Sequence, residues 1–248
     1  MTNNPLTRVV GSSLAVALSR IVGAFTLFLV MGWLAAAARV RLGLDGLILS
    51  GWCSLILSGL TAVLVWGTFR EVRYTCHESR LTLANKNVLL LGAIVLVYNL
   101  FALGLAAALH GTHYAVQGPT DIGWTHYFSV PSENRPTFLL HYLILSAADS
   151  TIAAPIAEEL FHVGIVIGLL RACGVRWPVV FIVNACFFIA QHQMLTASPL
   201  TVAAMFGYAF GRLFLDYLFY KTGNIALPIL AHILNNVRVL SLSIIFAI

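Results

Sequence analysis

Charged side chains are scarce here: Asp, Glu, Lys and Arg make up 9% of 248 residues, against about 25% in ordinary soluble domains. That scarcity excludes a water-facing globular surface. Short alternating apolar and polar runs are missing too, which argues against a membrane β-barrel. The four cysteines, Cys53, Cys76, Cys173 and Cys186, have no CxxC spacing, so neither a disulfide framework nor a zinc knuckle is written in them. HExxH, which would put two metal-binding histidines one turn apart, does not occur. Internal repeats and low-complexity tracts are also lacking. The net charge of +5 sits mostly in loops, as the positive-inside rule expects, and implies no nucleic-acid partner.

What remains is apolar. Hydrophobic residues make up 60% of the chain and the mean hydropathy is +0.91. A bilayer crossing needs about 20 apolar residues, and such runs fall near 9–38, 43–69, 87–109, 137–172, 178–196, 198–220 and 224–247. The fold class expected is all-α: a polytopic helical bundle of about seven or eight transmembrane helices, forming a single domain over 1–248. The first run is too long for a signal peptide and contains Arg20, so it is expected to stay as a span. Pro155 should divide the fourth run into a short helix to about Ala148, a break, and a helix to about Arg171. The basic loop 70–86 points to the cytoplasm, with Arg171, Arg176 and Lys221 on the same face; Arg39 and Arg41 break this pattern.

Ionisable groups at membrane depth default to functional hypotheses. Arg212 and Asp216, four apart, are expected to pair with each other. Arg20 snorkels or marks an interface, His162 reads as a packing or hydrogen-bonding residue, and His110, His113 and His126 read as interfacial. The others converge in depth. At about 1.5 Å per residue from the Arg171/Lys221 face, Glu158 lies about 20 Å in, His192 about 22 Å and His232 about 15 Å. Phe188 and His192 share one helix face, as do His232 and Asn236.

"EELFHVG", "FIAQH" and "TGNIALPILAHILNN" resemble, in order, the three motifs of the CPBP family of CAAX-processing endopeptidases and bacteriocin-processing or Abi proteins. The family patterns EExxxR, FxxxH and HxxxN fall on Glu158 and Glu159, on Phe188 with His192, and on His232 with Asn236. The likeness covers about 150–240 and implies a catalytic core near 137–247. One position departs: the arginine expected four residues after Glu159 is Val163. Arg212 is the candidate to replace that cation, at the expense of its pairing with Asp216.

The resemblance implies an intramembrane endopeptidase that acts on a membrane-associated peptide or protein, with the lipid bilayer as its surroundings and no cofactor. A desolvated carboxylate is a competent general base, so Glu158, with help from His192, would activate water. His232 and Asn236 would donate hydrogen bonds to the developing oxyanion, and Glu159 would position Glu158 or a partner helix. A zinc-dependent protease is one alternative, since one carboxylate and two histidines suffice for an open site. A proton-coupled transporter is another. An inactive binding or immunity protein is the third, and Val163 speaks for it. The compact chain suggests a bacterial cytoplasmic membrane.

Overall fold

The computed structural model describes residues 13–40, 43–70, 85–110, 148–195 and 202–245, together with Val72, Arg73, Thr75 and Leu145. The described residues form seven helices and no strands: α1 Leu14–Val40, α2 Gly43–Thr68, α3 Asn85–His110, α4 Asp149–Ala172, α5 Trp177–Leu195, α6 Val202–Thr222 and α7 Ala226–Ile245. Three of these are long and apolar enough to cross a bilayer: Leu14–Leu34 in α1, Asp149–Ala172, and Trp177–Met194 in α5. Shorter apolar stretches, Leu55–Thr68 and Asn87–Phe101, lie in α2 and α3, so the all-helical class holds among the described residues while the expected seven or eight crossings are not established by them. Arg212, Asp216 and Lys221 interrupt α6, and His232, Asn235, Asn236 and Arg238 interrupt α7.

The outer surface is apolar, with Leu89 74% and Ile182 63% exposed. Lipid accepts such side chains, so the chain is an integral membrane protein whose helices associate by close packing and polar contacts. Helix α4 sits at the centre, 72% buried, against 33% for the α1 span and 28% for the α5 span. Phe161 of α4 anchors the larger core, its ring 5.9 Å from Phe25 and 5.8 Å from Phe28 of α1. Ala17 and Ala24 let the α1 backbone come close to it. A smaller apolar cluster joins Leu91 and Ile94 of α3 to Leu218 of α6 and Leu227 of α7.

The predicted break at Pro155 is not there. Helix α4 runs on through the proline, but its turns alternate: Asp149–Ala153 and Leu160–Ile167 are π-helical, Ala154–Glu159 and Gly168–Ala172 α-helical. Proline disrupts a regular helix by lacking an N–H and by crowding the carbonyl four residues back. Here the preceding turn is already widened to i→i+5 bonding, with the Ala154 N–H reaching the Asp149 carbonyl, and Pro155 falls in the first turn of the α stretch. Such wide turns occur often at functional sites. Helix α4 ends on Gly174, whose φ of +78° favours a residue without a Cβ. Asn224 then starts α7 by accepting the Ala226 N–H at 3.0 Å.

The loop at 111–136, most of 70–86, and Arg41 lie outside the described residues, as do His113, His126 and Cys76. Arg73 is described, and its Nη1 donates to the carbonyls of Trp66 and Gly67 at the end of α2. Arg20 lies over the Phe69 ring, 5.8 Å from its centroid.

Candidate active site

The two acids of the first motif part company in space. Glu159 is fully buried, whereas the Glu158 side chain keeps 14% exposure. Arg212 of α6 grips Glu159 with both ends of its guanidinium, Nη1 to Oε1 at 2.8 Å and Nη2 to Oε2 at 2.9 Å. This two-pronged geometry is the strong form of a charge-assisted hydrogen bond. The third nitrogen, Nε, donates to Asp216 Oδ1 at 2.7 Å. The expected Arg212–Asp216 pair is therefore present, and a cation is supplied to Glu159 as well. The sequence had suggested that one contact would exclude the other. It does not, because the guanidinium offers separate edges to the two carboxylates.

A second layer of polar groups supports the first. Asn184 of α5 donates to both oxygens of Asp216, at 2.8 and 3.1 Å. Its own Oδ1 lies 2.7 Å from His162 Nδ1, and His162 Nε2 lies 3.1 Å from the side-chain oxygen of Gln191. His162 thus has the hydrogen-bonding role read from the sequence. Val163 is fully buried in the apolar cluster around Phe161, so no cation is needed or accommodated at that position.

Helix α7 brings His232 between the acids. Its Nδ1 lies 2.9 Å from Glu159 Oε1 and its Nε2 lies 3.7 Å from Glu158 Oε2. Glu159 therefore fixes the ring, and the ring presents Nε2 to Glu158. Among the described residues, Glu158 Oε2 is buried with no hydrogen-bond partner. It borders a cavity of about 330 Å³ that His192, His232 and Asn236 also line. His192 is held by its Nδ1–H, which donates to the Phe188 carbonyl at 2.9 Å. It is also stacked on Tyr208, the rings 4.1 Å apart at 28°.

Four of the five sequence-derived candidates, Glu158, His192, His232 and Asn236, thus border one space, with Glu159 directly behind them. Asn236 is partly engaged already, its Nδ2 donating to the Ser150 carbonyl at 2.7 Å and tying α7 to the start of α4. Among the described residues, no three His, Cys, Asp or Glu side chains cluster closely enough to hold a metal ion. Sequence reasoning passed over Asn184, Gln191, Tyr208 and Arg238. Asn184 and Gln191 were visible as amides, and Arg238 as a charge, inside apolar runs; Tyr208 gave no such signal.

Residues 137–238 match the family model described as type II CAAX prenyl endopeptidase Rce1-like. All five candidate residues fall inside that match. No curated protein and no solved structure matches the chain.

Proposed function

We propose, taking the Rce1-like character of residues 137–238 as the premise, that the chain is a glutamate-dependent intramembrane endopeptidase. Glu158 takes a proton from water, and the resulting hydroxide attacks the scissile carbonyl carbon. The oxygen of that carbonyl becomes an oxyanion, which needs preorganised donors in a water-poor site. The protonated form of His192 or His232 and the free N–H of Asn236 are the donors at hand. The proton held by Glu158 then passes to the amide nitrogen as the C–N bond breaks, leaving a carboxylate and an amine. Glu159 and Arg212 stay off the reacting atoms and hold His232 in place.

One observation carries the reading: a carboxylate oxygen without a partner among the described residues, facing an imidazole nitrogen at 3.7 Å on the wall of a cavity. General-base assistance contributes about 10²–10⁴-fold to rate, so Glu158→Ala should remove nearly all activity. Arg212 also weakens the case for an inactive binder, because the cation missing at Val163 reaches Glu159 from α6. The substrate is a membrane-associated peptide or protein, and the setting a bacterial cytoplasmic membrane. The test is cleavage of membrane-tethered peptide reporters by purified protein, beside Glu158→Ala and His192→Ala, with and without a strong chelator. Activity lost in both variants and indifferent to chelator is the expected result. Chelator sensitivity would move the assignment to a metal-dependent protease.

A further inference from the structure

Three basic residues that the site does not use gather at one end of the bundle. Arg171 lies in the last turn of α4, Arg176 in the turn before α5, and Lys221 in the last turn of α6. Ring contacts join them. The Arg171 guanidinium lies 4.8 Å from the centre of the Trp177 ring, and Trp177 meets Tyr220 edge to face at 4.9 Å. The Lys221 Nζ lies 5.2 Å from the centre of the Tyr220 ring and 5.3 Å from that of Tyr217. Contacts of this kind hold a cation from one side and leave its outer side for another partner. Arg176, Tyr217, Tyr220 and Lys221 are exposed. No Asp or Glu occurs in 168–183 or 217–226, and Asp216, the one acid of α6, is buried against Arg212. These segments therefore carry positive charge that none of their own residues neutralises.

We propose that this patch binds the headgroup of an anionic phospholipid. Trp and Tyr settle with their polar edges at the water–lipid boundary, and Lys and Arg beside them meet lipid phosphate. Farther along α5, Val179 and Ile182 are 49% and 63% exposed and, three apart, lie on one face of the helix. An acyl chain can run along them while its headgroup stays on the cations. An acidic protein segment is the competing occupant. The lipid is favoured because the basic patch passes directly into apolar surface, which suits an acyl chain and offers an acidic segment nothing to bind. Helices α4, α5 and α6 carry Glu158, His192 and Arg212, so one lipid would tie together the ends of three helices of the site. The proposal does not depend on the protease reading.

The test is native mass spectrometry of the full-length protein in detergent, titrated with phosphatidylglycerol or with phosphatidylcholine of the same chains. Phosphatidylglycerol should bind about 25-fold more tightly, about fivefold for each of the exposed cations Arg176 and Lys221. Arg176→Gln and Lys221→Gln should each remove about fivefold of that preference, and the double change nearly all of it. Arg73→Gln takes the same charge from the segment after α2 and should leave the preference intact. For the unmodified protein, more ammonium acetate should lessen the preference, since salt screens exposed charges. Equal binding of the two lipids, a preference that survives the double change, an equal loss in Arg73→Gln, or indifference to salt overturns the proposal. So does Lys221-dependent binding of a polyglutamate peptide without a preference between the lipids, which would assign the patch to an acidic protein.

Discussion

Replacing Arg212 by leucine tests the internal logic of the site most directly. The side chain is fully buried and makes three charge-assisted bonds of 2.7, 2.8 and 2.9 Å to two carboxylates that are themselves fully buried. Leucine fills part of the volume but leaves Glu159 and Asp216 facing each other's neighbourhood without a cation. Breaking a buried pair by removing one partner costs about 3–5 kcal/mol. With about 2–4 °C of melting temperature per kcal/mol for a chain of this size, the expected fall is about 6–20 °C. The assay is thermal unfolding in detergent, with Asp216→Asn as the control. That change keeps Oδ1, the oxygen reached by both Arg212 Nε and Asn184 Nδ2, so its cost should be at most about 1–3 kcal/mol. Adding Glu159→Gln and Asp216→Asn to Arg212→Leu should recover part of the loss, because no uncompensated charge then remains. If Arg212→Leu alone melts within a degree or two of the unmodified protein, the carboxylates do not depend on this arginine and the account is wrong.

Glu158→Gln should leave the melting temperature nearly unchanged, since its Oε2 has no hydrogen-bond partner among the described residues and only a 3.7 Å contact with His232 Nε2, while reporter cleavage falls at least ~100-fold. A large loss of stability would mean that Glu158 holds the bundle together instead. Gly211→Ala would place a Cβ 3.0 Å from the Tyr98 hydroxyl and 3.1 Å from its ring. The expected cost is about 1–3 kcal/mol, relieved by pairing it with Tyr98→Leu; a melting curve that does not respond to the second change refutes the contact. Gly164→Ala would meet Val72 Cγ2 at 2.8 Å, and a comparable loss should be recovered by Val72→Ala in the same assay.

Much of this protein was legible in one dimension because a bilayer makes polarity expensive. In a chain where almost everything must tolerate hydrocarbon, Glu158, Glu159, His192, His232 and Asn236 stand out without any coordinates. Helical rise alone placed all three of their segments at similar depth. The Arg212–Asp216 pair was readable for the same reason, four apart on one helix. The continuity of α4 was less legible: proline usually interrupts a helix, and only the widened turn before Pro155 shows why it does not.

The sequence by itself determined that this is a helical membrane protein and which residues are worth holding inside it, since both follow from residue type and spacing. Three-dimensional packing decided what each of them does. A helix offers different faces to different neighbours, so adjacent acids diverge: Glu158 turns to the cavity, and Glu159 turns into the fork of Arg212 from a helix 53 residues away. No spacing rule reaches across that separation. The cation that seemed missing at Val163 is supplied from there, because a buried charge requires a nearby partner in space and sets no condition on where in the chain that partner lies.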